Sequence, residues 1–323
     1  MKFIENNVHL MGWLYQHKLE KKVTGAASKT PGTTYISGSI DVATNSEITN
    51  IVTVHYTYVT PTYGSTGKSN PTFATLSSII DGKFKTVMGD GVDAAAKIKV
   101  DTSIALNEFY SDRDGEETLV SNMRNEGGFI HVLNTFEKGS DDAETAKKFN
   151  SFDMDIVISK FKRFDATEDK PERGIVHGFV FDFRKQALPV DFVVYKPKAL
   201  DYFESFDYKQ PLYTHISGEQ ASTTIIKKET FEGAFGDEEV RETKSTRREY
   251  VLTNSRKQTY VYNDTDDTDA EGITKKELEK LIADRELYLA GVKKRQDDYK
   301  ASKVTTSNAA PATTAPKSGG FNF

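Results

Sequence analysis

The sequence predicts a mainly β protein: two five-stranded barrels, then a C-terminal helix and a disordered tail. Residues 35–60, YISGSIDVATNSEITNIVTVHYTYVT, hold two runs with a period of two around a polar turn at Asn45 and Ser46, the pattern of paired, half-buried strands. A similar pair recurs at 175–195, IVHGFVFDFRKQALPVDFVVY, again after a long strand-like run and before a short helical pattern. The chain of 323 residues also exceeds one ordinary domain, so two units of about 100 to 200 residues are expected.

Taken in order, the first strand is expected at 8–23, with Val8, Leu10 and Leu14 on one face and His9, Met11, Trp13, Tyr15 and His17 on the other. Gly12 stands inside it, where glycine marks a bulge or a bend at a barrel corner. A loop over 25–32 ends in a Pro31-Gly32 turn signal. In the next pair, Ile36, Gly38, Ile40 and Val42 share one face of the first strand, and Val52, Val54, Tyr56 and Tyr58 share one face of the second. A Gly/Ser/Thr-rich loop over 61–70 leads to a short helix from Pro71, with Phe73, Leu76, Ile79 and Ile80 at helical spacing; strands follow at 97–109 and 118–133. Three strands, a helix and two strands is the element order of an OB-fold, a five-stranded barrel that often binds oligonucleotides across strands two and three.

The second half repeats the order, with strands at 152–164, 174–184 and 188–195, an amphipathic stretch at 197–206, and strands at 212–227 and 240–262. Five acids then fall between Asp264 and Glu271. A helix is expected over 274–299, with Leu278, Leu281, Ile282, Arg285 and Leu289 on one side, and Thr274 with Glu277 form a capping box at its start. From Ala301 the chain is rich in Ala, Thr, Ser and Pro, which bury too little apolar area to offset the entropy of ordering. The expected division is therefore 1–136 for the first OB-like barrel, 137–263 for the second, 264–300 for the acidic loop and helix, and 301–323 for the tail.

Composition narrows the function classes. Hydrophobic residues make up 37% and charged residues 28%, which suits a globular chain. The absence of cysteine excludes disulfides and thiolate metal sites. No apolar run approaches the ~20 residues of a membrane helix, and the opening MKFIENNVHL lacks a signal-peptide core. A cytoplasmic protein without a membrane partner is expected. The formal charge of -5 averages over faces and leaves a polyanionic partner open.

Two stretches imitate known sites and fail on counting. Gly67-Lys68-Ser69 would need a glycine five positions earlier to form a phosphate-binding loop, where Thr62 stands. Asp267, Asp269, Glu271 and Gly272 open like a calcium loop, yet Leu278 occupies the place of the bidentate glutamate. None of the six histidines has a second ligand at metal-binding helical spacing. No catalytic constellation is present, so neither an enzyme nor a cofactor is expected.

Aromatic and basic residues are interleaved on the strand faces instead. Trp13, Tyr15 and Lys18 project from the first strand; Tyr35 and His55 lie on the polar faces of the next pair; Lys68 sits in a mobile loop; Arg124 and Phe129 flank the glycine pair 127–128. The second half adds Lys162, Arg163, Arg247 and Arg248. Single-stranded nucleic acid offers unstacked bases to rings, at roughly 1–3 kcal/mol per base, and phosphates to cations. Each residue alone is equally a solvated edge that discourages strand pairing; the set carries the expectation.

The runs SKTPGTTYISGSIDVATNSEITNIVTVHYTYVT, RNEGGFIHVL and AFGDEEVRETKSTRREYVLT resemble single-stranded DNA-binding proteins encoded by tailed bacteriophages, over roughly residues 8–265. The resemblance implies OB-fold domains that coat single strands during replication or recombination, in the host cytoplasm. It also implies a role for the tail: bacterial proteins of this function end in acids and a phenylalanine that docks on replication proteins. Here Phe321 and Phe323 end the tail, but 301–323 holds Lys303 and Lys317 and no acid. The alternative, from another class, is a virion structural or assembly protein whose barrels bind other proteins.

Overall fold

Apolar–polar alternation decides which side of each strand turns inward. The computed structural model describes residues 5–26, 28–64, 66–113, 116–136, 150–167, 170–209, 212–232, 238–257 and 273–307. The first half contains β1 (Asn6–His17), β2 (Glu20–Val23), β3 (Thr34–Ala43), β4 (Ile51–Val59), α1 (Pro71–Ile80), α2 (Val87–Asp90), β5 (Lys97–Arg113) and β6 (Glu116–Leu133). The second contains β7 (Ser151–Phe164), β8 (Arg173–Phe181), β9 (Ala187–Val194), α3 (Pro197–Glu204), β10 (Leu212–Glu232), β11 (Glu238–Ser255) and the terminal α4 (Lys275–Ser307). The protein is thus mainly β with a C-terminal helix, as its sequence predicts.

Strand pairing closes on itself twice. β1 pairs β3, β3 pairs β4, β4 pairs β6 in parallel, β6 pairs β5, and β5 returns to β1. The same circuit runs through β7, β8, β9, β11 in parallel, β10 and back to β7. β1 and β7 pair antiparallel from Asn6↔Met154 to His9↔Ser151, so both cycles belong to one 11-stranded sheet. Inside the first cycle Val8, Leu10, Leu14, Ile36, Ile40, Val54 and Tyr56 are buried, and the same cluster continues into Phe152, Met154, Ile156 and Phe192 of the second. Each such aliphatic side chain contributes about 1.5–3 kcal/mol.

Local chemistry explains the corners. A Cβ on Gly12 would lie 1.9 Å from the Ala43 carbonyl oxygen, so only glycine lets β1 cross β3 this closely, and the pairing slips between Leu14 and Gln16 just beyond. Gly128, at φ +91, is equally close to the Asp101 oxygen where β5 and β6 slip register between Asp101 and Ser103. Asn70 caps α1 by accepting from Thr72 N at 3.1 Å, and Pro71 at the first turn suits a position that needs no donor. The capping box of α4 is present: Thr274 N donates to Glu277 at 3.0 Å and Glu277 N to Thr274 Oγ1 at 3.1 Å.

Several expectations are corrected. The first strand does not run over 8–23: it breaks at Lys18 and Leu19, where Leu19 turns inward to 6% exposure, and β2 pairs separately with β3. Tyr58 does not face inward with Val54 and Tyr56, because the register slip between Ile36 and Gly38 rotates it outward to 49% exposure. The strands expected at 97–109, 118–133 and 212–227 are longer, and the one expected over 240–262 is observed as Glu238–Ser255. The β5–β6 and β10–β11 hairpins extend past their cycles as ribbons, and beyond the cycle no barrel core sets which residues turn inward. α4 runs on to Ser307, into the segment whose composition suggested a tail. The acidic run 264–271, Phe321 and Phe323 lie outside the described residues. No described helix is long and apolar enough to cross a membrane.

Candidate functional site

Where the two cycles meet, their outer surfaces enclose a groove of about 560 Å³. Strand alternation supplies its walls. On β4 the positions between buried Val52, Val54 and Tyr56 are Ile51, Thr53 and His55, and all three line the groove. On β8, Arg173 and Ile175 alternate with buried Gly174 and Val176; on β9, Asp191 and Val193 contribute; β6 adds residues 121–125 and β11 adds Arg247 and Arg248.

The floor is a set of buried amides joining the cycles. Asn125 and Gln220 exchange two side-chain hydrogen bonds of 2.9 Å. Asn125 also donates to the Thr53 carbonyl at 3.1 Å and accepts from the Tyr250 hydroxyl at 3.0 Å. Asn50 and Asn150 each donate to the Gln220 carbonyl at 3.0 Å, and Ser222 N donates to Asn50 at 2.9 Å. These bonds fix β4 and β6 against β10 and β11. Their residues carry no pattern by which the sequence reveals them, since each is an ordinary polar residue on or beside a strand.

Five cations line the groove, Arg124, Lys170, Arg173, Arg247 and Arg248, against the carboxylates of Asp191 and Glu249. Arg124 is held by Glu126 and Arg247 by Glu249, each at 2.6 Å. Asp191 lies 2.6 Å from His177 Nδ1. Among the described residues, Lys170, Arg173 and Arg248 make no ion pair, and the Arg173 guanidinium lies 5.2 Å over the Phe164 ring. Burial pushes the His55 imidazole below its ordinary value of 6.5, and neighbouring Arg124 acts in the same direction. Near neutral pH His55 therefore offers an uncharged ring and hydrogen bonds.

Four of the residues singled out by sequence, His55, Arg124, Arg247 and Arg248, come together here. Lys170 and Arg173 lie in the mixed-charge stretch TEDKPERG, which reads as a polar loop, and only the approach of the two cycles brings them to the groove. Tyr35 stacks at 4.7 Å on Tyr58, three residues along β4 from His55, or about 10 Å. Lys68 is exposed in the loop before α1, where its carbonyl accepts from Tyr63 N at 2.8 Å. The rest lie elsewhere. Trp13 packs edge-on against Phe136 at 4.7 Å, half-buried Tyr15 and exposed Lys18 follow it along the chain, and Phe129 is 55% exposed beside the Gly128 bulge. Lys162 sits 4.7 Å over the Phe164 ring. Arg163 meets Glu204 at 2.7 Å, Glu172 at 2.8 Å and Asp201 at 3.1 Å; these carboxylates raise its pKa and make it a tether for α3. Among the described residues, no three His, Asp or Glu side chains are grouped to hold a metal ion.

Solved structures similar to the chain include two crystal structures of the single-stranded DNA binding protein from Thermus aquaticus. The wild-type form has 10% identity and a TM-score of 0.43 over 81% of this chain and 97% of that chain. A deletion mutant has 9% identity and a TM-score of 0.44 over 83% of this chain and 100% of that one. No curated protein matches the sequence. The model of one family, YorF, matches residues 5–288, and the chain therefore belongs to the YorF family.

Proposed function

We propose that the protein binds single-stranded DNA without sequence preference, along the groove between the two strand cycles. Each cycle is an OB-like barrel in this reading, with residues 1–136 and 137–263 as the two domains, 264–300 as an acidic loop and helix, and 301–323 as a tail whose first residues, to Ser307, continue the helix. The observation that carries it is the convergence of Lys170, Arg173 and Arg248, free of ion pairs among the described residues, beside the apolar Ile51, Ile175 and Val193. Cations suit a phosphate chain and an apolar wall suits bases that have left their stack. A cavity of this size is a small-molecule pocket in volume and admits a strand threaded base by base rather than a duplex. Nothing in the groove asks for turnover; the activity is binding, in the cytoplasm.

Polarisation of labelled oligo(dT), titrated at about 50 and about 200 mM salt, tests the reading. Replacing Lys170, Arg173 and Arg248 together by alanine is expected to flatten the slope of log affinity against log salt by roughly 0.7 for each phosphate no longer neutralised, or about 2 in all. An unchanged slope sinks the groove as the binding site.

The role follows from the binding: coating single strands during phage DNA replication or recombination, with Phe321 and Phe323 anchoring a replication protein. Aromatic side chains that follow a Gly319-Gly320 pair in the sequence gain nothing in water and suit a partner's pocket. Deleting 321–323 is expected to abolish capture of replication proteins from infected-cell extract while oligo(dT) affinity changes less than about tenfold, or ~1.4 kcal/mol. Undiminished capture by the truncated chain would remove the recruiting role.

A further inference from the structure

We propose that Phe109 is a stacking platform for an unpaired base on a strand leaving the groove, an inference that rests on the single-strand reading above. The β5–β6 hairpin has two unlike faces beyond its cycle. One is covered by α4: Glu108 pairs with Arg285, the Tyr110 ring lies 5.3 Å from Lys293 Nζ, and Glu117 is held by Lys293 and Lys300. The other is open, and its cross-strand pairs run outward in order as Ala105↔Arg124, Asn107↔Asn122 and Phe109↔Val120.

Arg124 and Asn122 already line the groove. Phe109 is the next rung, about 7 Å farther along the strand, and is 41% exposed. The ladder thus offers an arginine already paired with Glu126, then two amides facing each other, then a bare ring. Amides donate to and accept from base edges, and a phenyl ring accepts the face of any base, which is what sequence-tolerant binding requires. Past Phe109 the next pair on this face is Ser111↔Thr118, which carries neither ring nor charge, so the stacking track ends at Phe109.

The test uses the full chain and labelled oligo(dT) of about 4 and about 16 nucleotides, the ends of the range occupied by one OB-fold. Phe109→Leu is expected to weaken the long oligonucleotide about tenfold, or ~1.4 kcal/mol, and to leave the short one unchanged. Phe109→Tyr, which keeps the ring, is expected to bind both like the wild type. A role in packing alone would be served by leucine, and melting curves of both variants check that the fold is retained. Full affinity of Phe109→Leu for the long oligonucleotide overturns the inference while leaving the groove reading intact, and so does an equal loss in Phe109→Tyr. Failure of the wild type to bind either length removes the single-strand reading and this inference with it.

Discussion

Replacing Glu108 by alanine should cost about 3–5 kcal/mol of folding stability, the usual result of taking one partner from a buried ion pair. The Glu108 side chain is 1% exposed and that of Arg285 is 10% exposed. Ser121 Oγ donates to Glu108 at 3.1 Å, and Arg285 also donates to the Ala187 carbonyl at 3.2 Å. Three elements meet at this point: the first cycle's hairpin through β5, the second cycle through β9, and α4 between them. Without the carboxylate the guanidinium is buried beside a carbonyl that cannot neutralise it. α4 must then lift away, or solvent must enter. Urea unfolding of Glu108→Ala against the wild type measures the loss. Glu108→Leu combined with Arg285→Leu should recover much of it, because an apolar pair of similar volume needs no desolvated charge. A single variant that loses under about 1 kcal/mol would show that the joint carries little of the stability.

Asn125→Ala should have the second largest effect, about 2–4 kcal/mol, because it leaves several buried polar groups without partners at about 1–3 kcal/mol each before relaxation. Gln220, 7% exposed, loses both a donor and an acceptor, and the Tyr250 hydroxyl and Thr53 carbonyl each lose a bond. Since these bonds span the two cycles, the variant should also separate their melting. Calorimetry is expected to show one broadened or two resolved transitions where the wild type has one. A single transition at the wild-type midpoint would contradict the account of the floor as the link between cycles.

Strands are legible in the sequence where one side is dry. Val8, Leu10 and Leu14, or Ile36, Ile40 and Val42, are buried as read, although Met11 and Ala43 beside them are buried as well. The glycine at position 12 is readable as a corner because a strand rarely tolerates glycine without a reason of this kind. Tyr58 is not, since a two-for-one slip between β3 and β4 inverts the alternation and no composition signals it. The β5–β6 ribbon reads short because the face it turns inward is set only by α4, an element far along the chain. For the groove, His55, Arg124, Arg247 and Arg248 are visible as charges or rings on strands, but their meeting depends on elements far apart in the chain. Asn50 and Ser222 show this most sharply, hydrogen-bonded at a separation of 172. Arg163 looks like its neighbours in the sequence and differs only in having three carboxylates folded onto it.

The position of β1 shapes how the chain can be assembled. It pairs with β3, β5 and β7, so this strand receives its last neighbour only when residues 151–154 have been made. Until then the Asn6–His9 segment presents backbone donors and acceptors along an unsatisfied margin, a template to which a second nascent chain could add. Pairings this distant in sequence also slow the search for the native topology. Polar Asn6, Asn7 and His9 occupy most of that margin, and Asn6 turns its amide inward to the Ile104 and Phe181 carbonyls at 3.0 and 3.1 Å. One side chain thereby ties the first cycle's β5 to the second cycle's β8, and the seam is sealed only when the second half of the chain arrives.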